Sequence, residues 1–316
     1  MSFSFEFFEK GKPTNKTEEL ENGQQDSGLS SLPAQLVPSR PRDFYESSAR
    51  ESTTLVFDRG LTLRRTTRLP SLFPAGYLPD HDVVSGKYEG GYKVWESSLD
   101  LVRYLCNVEL SKIIPGIVFP NDQNNNAIRV LELGCGQGIP GIAALKGIPH
   151  STVVFSDLNA EVLSETTWHN IHLNVTEVIA QRAACIAGDW STLAAVLSQP
   201  LFPGLEPDPA VRFDLILSAE TLYTAASCKA LLSAVERFLS PQGVAILANK
   251  RYYFGLGGGT LELQNLLELR RQAQVQGPGA ESEQQHLILE LVGSSEDGQS
   301  NIRDLLRLQW RQHKSS

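Results

Sequence analysis

The chain has 316 residues, 41% of them hydrophobic and 20% charged, with a net charge of −8, which suits one large or two small globular domains. The acidic balance argues against sequence-independent binding to nucleic acid, which needs an excess of Lys and Arg, and no apolar run approaches the ~20 residues of a membrane span. Cys106, Cys135, Cys185 and Cys228 form no C-x-x-C pair and no metal spacing with His, so they read as reduced structural thiols of an intracellular protein, with no metal expected.

In chain order, Met1–Lys10 carries Glu6 and Glu9 among its apolar residues and lacks a basic start, so it does not read as a secretory signal. Phe3, Phe5 and Phe7 alternate with polar residues, as a short strand, a docking segment or a mobile tail would. Residues 9 to about 52 are rich in Lys, Glu, Asn, Gln, Ser and Pro, a composition that predicts disorder. Residues 1–54 are therefore expected to be largely disordered, and 55–316 to form the folded domain with an extension at its start. Leu55 to Leu72 leans towards strand, and Ser97–Asn107 towards helix. A regular alternation follows: strand Ile128–Leu133, helix Pro140–Lys146, strand Thr152–Ser156, and a helix from Asn159, as N-cap, to Leu173. Next come strand Ala183–Ala187, a Pro-rich loop over Gln199–Arg212 and strand Phe213–Ser218. A helix near Ser227–Leu239, the turn Ser240–Gly243, strand Val244–Asn249 and helix Leu261–Arg271 complete it. After a flexible linker (Gln276 to Glu283), two strand-like runs, His286–Val292 and Ile302–Gln309, end the chain. Strand–helix alternation implies right-handed parallel crossovers and a doubly wound α/β sheet. The last two strands, with no helix between them, fit an antiparallel edge hairpin.

The stretch Leu131-Glu-Leu-Gly-Cys-Gly-Gln-Gly138 runs from a buried strand into Gly134, Gly136 and Gly138 and then a helix. Glycine there lets the chain turn sharply and a ligand lie against bare backbone, and the helix start offers unpaired N–H groups. In an α/β sheet such a turn binds a nucleotide. Gly136-x-Gly138-x-x-Gly141 with Asp157 beyond it matches the dinucleotide fingerprint, which on its own is a weak pattern and leaves an NAD-dependent oxidoreductase open. Against that stand Glu132 inside the strand, the Gly188-Asp189-Trp190 turn, where a carboxylate and an indole bracket an adenine, and the final hairpin.

Together these features resemble the seven-strand, Rossmann-like class of S-adenosylmethionine-dependent methyltransferases over roughly residues 85–310. The resemblance implies S-adenosyl-L-methionine as cofactor. Glu132, Gly134, Gly136, Gly138, Asp157, Asp189, Trp190, Ser218 and Trp95 would then be its binding residues, with Asp157 accepting the ribose hydroxyls. Simpler readings remain beside each: Trp190 and Trp95 as core aromatics, Glu132 as a solvated strand-end acid, Asp157 as a helix-entry cap.

Three further motifs carry the acceptor. Tyr88-Glu-Gly-Gly-Tyr-Lys-Val-Trp-Glu96, Ser218-Ala-Glu-Thr-Leu-Tyr223 and Lys250-Arg-Tyr-Tyr-Phe-Gly-Leu-Gly-Gly-Gly259 resemble, in order, motifs of the protein-histidine methyltransferases that modify a large-subunit ribosomal protein. Gln137, Pro140 and the Pro-rich insert depart from that pattern. The resemblance implies methylation of a histidine at its tele nitrogen, a ribosomal protein as partner, a monomer, and residence in cytoplasm and nucleus. Glu220 and Tyr223 would be catalytic, and Tyr252, Tyr253, Phe254, Gly255, Gly257 and Gly258 would meet the substrate. Only a neutral imidazole has a lone pair for attack, and with a pKa near ~6.5 much of it is already neutral at pH 7. The enzyme must then align the ring near ~3 Å from the methyl carbon, and Glu220 would fix the tautomer by accepting the other N–H. Left open are Glu220 as an acid paired with Lys250 or Arg251, and Gly255–Gly259 as a plain connector. A lysine methyltransferase of the same fold is the nearest alternative. A non-catalytic module is argued against by Glu132, Asp157, Asp189 and Glu220.

Overall fold

The computed structural model describes residues 32–46, 51–67, 90–115, 127–202, 210–276, 285–296 and 301–311. Phe3, Phe5, Phe7, Tyr88, Glu89 and the linker 277–284 lie outside them. The strands in chain order are β1 (Gln35–Val37), β2 (Ser52–Val56), β3 (Thr62–Thr66), β4 (Arg129–Leu133), β5 (Thr152–Asp157) and β6 (Ala183–Ala187). They continue as β7 (Phe213–Ala219), β8 (Leu239–Lys250), β9 (Tyr252–Tyr253), β10 (Gly258–Gly259), β11 (Leu287–Glu296) and β12 (Ile302–Trp310).

One sheet takes eight of these, in the order β1-β6-β5-β4-β7-β8-β12-β11. β6, β5, β4, β7 and β8 run parallel, and β12 and β11 close the far edge antiparallel. The seven strands implied by the sequence are all present, including the terminal hairpin. The eighth, β1, is a finding: Gln35, Leu36 and Val37 pair antiparallel with Ala187, Ile186 and Cys185. This places residues 32–46, where the composition had suggested disorder, within the ordered fold. A three-residue strand between prolines leaves no periodicity to detect.

Strand alternation sends side chains to opposite faces. Val130, Val153, Phe155, Leu215 and Ile246 join one core, under the helices Glu96–Asn107, Ile139–Gly147 and Trp168–Asn174. Leu131, Val154, Ile216, Leu247 and Leu306 join the other, under the helix Ala225–Phe238. The buried parallel strands read as near-continuous apolar runs for that reason.

Two local expectations change. Ser240–Gly243, expected as a turn, lies inside β8 as an irregularity: the pairing steps from Phe213↔Leu239 to Leu215↔Val244. The helix after β5 starts behind Asn159, but the Asn159 side chain makes no capping bond, and Leu163–Thr167 forms a π turn before the helix resumes at Trp168. No helix of the described residues is long and apolar enough to cross a membrane, and all four cysteines are free.

Strand order reverses between β5-β4 and β7-β8, so the C-terminal ends of β4 and β7 face the crevice where such sheets bind ligands. The glycine turn after β4, Asp157 ending β5, Asp189 after β6, Glu220 after β7 and the start of the loop after β8 all lie along that edge.

Candidate active site

Gly134, Gly136 and Gly138 take φ of +66°, +49° and +72°, a region that costs an L-residue roughly 1–2 kcal/mol. Space is as restrictive as conformation. A Cβ on Gly134 would lie 2.6 Å from Thr221 Cγ2, and one on Gly136 would lie 2.9 Å from the Gly91 carbonyl oxygen. The turn is held from below by Asp157, whose Oδ2 accepts the Gly136 amide at 2.8 Å and whose Oδ1 accepts the Asn159 amide at 3.2 Å. The Thr167 hydroxyl donates to the Gly136 carbonyl at 2.6 Å. Gln137 departs from the family pattern, yet its amide donates to the Tyr92 carbonyl at 2.6 Å, while Asn170 donates to the Gln137 carbonyl at 2.9 Å. These bonds fasten the entry segment Gly90–Lys93 onto the glycine turn.

Two residues expected at the cofactor make buried hydrogen bonds within the protein. Glu132 is buried, and its Oε2 accepts the Gly141 amide at 2.9 Å, bracing the helix start from within. Burial pushes its carboxyl well above the ordinary range; the Gly141 bond opposes this and Asp157 adds to it. A Cβ on Gly141 would collide with this carboxyl and the Phe155 ring. Ser218 is wholly buried as well: its hydroxyl donates to the Leu133 carbonyl at 2.7 Å and lies 2.7 Å from Thr221 Oγ1, tying the ends of β4 and β7 together.

At the end of β6, Asp189 caps the turn Trp190–Thr192, its Oδ1 accepting from the Ser191 amide at 2.8 Å and hydroxyl at 2.6 Å. Trp190 is partly exposed, and a Cβ on Gly134 would come 3.6 Å from its Cζ2, so the indole lies beside the glycine turn. Trp95 donates its indole N–H to the Gly90 carbonyl at 3.2 Å. The ammoniums of Lys93 and Lys250 lie 4.4 and 5.6 Å from its ring centroid, within cation–π range.

Glu220 follows β7 directly, with φ +56° in the left-handed region and its amide donating to the Ala248 carbonyl at 2.9 Å. Strained non-glycine residues of this kind cluster at active sites, though Arg59 and His150 share the same φ region here. Its carboxylate is gripped by two hydroxyls: Ser97 donates to Oε1, and Tyr253 donates to Oε2 at 2.5 Å. Arg251 turns instead to Asp304, so the Arg251–Glu220 pairing considered from sequence is not formed. Burial pushes the Tyr253 hydroxyl far up, and the neighbouring Glu220 charge and hydrogen bond add to it, so this phenol stays a proton donor. Tyr253, expected to meet substrate, is thus a partner of the acid. Asn249, also buried, accepts the amides of Thr221 and Leu222 at 2.8 and 3.0 Å and shapes the same turn.

The glycine-rich loop lies on that turn. The Gly259 amide donates to the Leu222 carbonyl at 2.7 Å, Gly257 bridges to Thr224, and a Cβ on Gly258 would collide with the Leu222 and Tyr223 carbonyls. Gly255 has open space around it. Tyr252 and Phe254 stack with centroids 6.1 Å apart and are exposed, Phe254 by 86%. Both ends of the loop meet at Asp304: Arg251 donates to it at 2.9 and 2.7 Å and Thr260 at 2.8 Å. Ser97, Asn249 and Asp304 are not among the site residues expected from sequence, because their partners lie in distant segments. Among the described residues no group of three His, Cys, Asp or Glu is placed to hold a metal ion.

The sequence matches a family of known proteins. A family model described as lysine methyltransferase matches residues 84–254. The chain is 32% identical over 231 residues to a histidine protein methyltransferase 1 homolog of Dictyostelium discoideum, covering 73% of this chain and 61% of that protein. It is 29% identical over 285 residues to the Bos taurus homolog, covering 81% and 70%. It is also 34% identical over 161 residues to the EEF1A lysine methyltransferase 3 of Mus musculus, covering 50% and 55%.

Proposed function

This chain belongs to the family described as lysine methyltransferase, and we propose that within it the acceptor is a histidine side chain of a protein. The observation that carries this reading is the Glu220 carboxylate, held at the crevice by Ser97 and Tyr253 beside the glycine-rich loop. Similarity to histidine protein methyltransferase 1 homologs over most of the chain supports it. Family membership replaces the NAD reading.

The residues present suit S-adenosylmethionine, which when bound supplies an electrophilic methyl group on its sulfonium. The turn at Gly134 has no room for a side chain beside Thr221, and it offers backbone to the aminocarboxylate. Asp157, at the C-terminal end of β5 beside the glycine turn, is placed to accept the ribose hydroxyls, a role that suits a carboxylate. Asp189 and Trp190 take the adenine end. Lys93 and Lys250, over the Trp95 ring, bring positive charge to the β8 side of the crevice.

Glu220 accepts the N–H of the substrate imidazole, leaving the other nitrogen's lone pair free to attack. As the ring becomes an imidazolium, the carboxylate stabilises the developing charge. The Ser97 and Tyr253 hydroxyls prevent the carboxylate from rotating, so the ring plane is set before transfer. Tyr252 and Phe254 present an exposed aromatic pair to segments flanking the target. The tele nitrogen and a large-subunit ribosomal protein complete the proposal.

Lysine methylation is the second reading, supported by the family description and the lysine methyltransferase relative. A lysine must lose its proton before attack, and the two ammoniums on Trp95 would favour that loss too. Mass spectrometry of ribosomal proteins from cells with and without the chain separates the readings. Loss of one methylhistidine is expected; loss of methyllysine alone would replace histidine with lysine as the acceptor.

A further inference from the structure

The segment from Leu32 to Tyr45 runs as a strap along the β6 edge and is tied down at both ends. At its start, the Leu32 carbonyl accepts the Asp189 amide at 3.0 Å and the Thr192 hydroxyl at 3.0 Å. Gly188 takes φ +131°, and a Cβ there would lie 2.7 Å from Ala34 Cα and 2.9 Å from the Pro33 carbonyl oxygen. Strap backbone therefore fills the space that a side chain would need. β1 then pairs with β6. Farther along, Val37 accepts the Trp168 indole N–H at 2.9 Å, and Ser39 Oγ lies 2.8 Å from His172 Nε2. Tyr45, 2% exposed, stacks on His172 with centroids 4.5 Å apart.

A strand that merely covered the sheet edge would need only its ladder to β6. These contacts go past the ladder, onto the Gly188-Asp189-Trp190 turn itself. That turn leaves the outermost parallel strand, and among the described residues the strap lies against its outer side. Two of its backbone groups are committed to the strap: the Asp189 amide by a hydrogen bond, and Gly188 by direct contact.

We propose that Leu32–Val37 is a working part of the cofactor site, holding the Gly188–Trp190 turn in the form that grips the adenine. The proposal rests on the reading of Asp189 and Trp190 as the adenine contacts. By linkage, a bound cofactor in turn holds the strap down. If only a tenth of the molecules have the strap seated, the apparent Kd rises about tenfold.

Tyr45→Ala in the full chain removes the anchor on His172 without altering a residue that would contact cofactor or substrate. Titration calorimetry with S-adenosylhomocysteine should show a Kd raised about tenfold, with circular dichroism showing the sheet retained. Trp190→Ala is titrated beside it. Normal affinity in Tyr45→Ala with weakened affinity in Trp190→Ala overturns the strap proposal alone. Normal affinity in both overturns the adenine assignment and the strap proposal with it. Should Tyr45→Ala not fold, hydrogen exchange of the unaltered chain decides. S-adenosylhomocysteine should then protect the amides of Ala34–Val37 more than those of β11 at the opposite edge, and equal protection at both edges overturns the proposal.

Discussion

The Tyr253 hydroxyl donates to Glu220 Oε2 at 2.5 Å, joining the loop after β8 to the acid after β7. Each residue comes from a motif that sequence alone places far from the other, and the bond makes a single device of them. A hydrogen bond to a charged acceptor contributes about 1.5–3 kcal/mol. Tyr253→Phe should therefore lower kcat roughly ten- to a hundredfold and leave S-adenosylhomocysteine affinity unchanged. Steady-state kinetics and calorimetry on one preparation check both; a fall in affinity alone would place Tyr253 at the cofactor instead of beside the acid.

The Asp304 carboxylate gathers Arg251 and Thr260 from the two ends of the loop, and Ser294 also donates to it at 2.8 Å. Burial alone would raise this carboxyl, but the hydrogen bonds from Arg251, Ser294 and Thr260 hold it below the ordinary range. A carboxyl lowered by folding contributes stability above its unfolded pKa, near ~4, that is lost as pH falls through its folded value. Asp304→Ala should cost about 3 kcal/mol at pH 7, and the difference from the parent should narrow in thermal melts taken below pH ~4.

Two glycines of one loop should behave oppositely. Gly258 has carbonyls of Leu222 and Tyr223 where a Cβ would go, whereas Gly255, at φ +77°, has open space. Gly258→Ala should push the loop off the Glu220 turn and lower kcat at least about tenfold, as misplaced catalytic groups do. Gly255→Ala should cost only about 1–2 kcal/mol of backbone strain and keep most of the activity. Turnover assays with thermal melts distinguish the two.

His172, under the strap, is held below its ordinary pKa by burial; Glu177 at 3.6 Å opposes this and Arg42 reinforces it. The folded chain therefore binds this proton less readily than the unfolded one, whose imidazole titrates near ~6.5. Stability should fall as pH drops through ~6.5 and level off below the folded value. Melting temperatures at pH 7.5 and 5.5 check this, and His172→Gln should flatten the difference.

Much of the architecture was legible because it depends on local chemistry. The apolar runs at β4, β5, β6 and β7 lie between turn and helix signals, and burial on both faces makes such runs continuous. Gly134, Gly136 and Gly138 announced a turn because few other residues take those dihedrals. Other elements gave no such signal. β1 is three residues long and gains its place only by lying beside β6.

What the sequence by itself determined is the sheet, its glycine turn and the set of chemical groups at the crevice, since strand pattern and backbone freedom are local properties. The tertiary structure alone decided how those groups are used. Glu132 and Ser218 are turned inward as braces, while Ser97 and Tyr253 close on Glu220 from segments 123 and 33 residues away. Asp304 holds both ends of a loop that precedes it by more than 40 residues. Such partnerships depend on which chain segments meet when the two cores are buried, and no residue's own neighbours in sequence encode that.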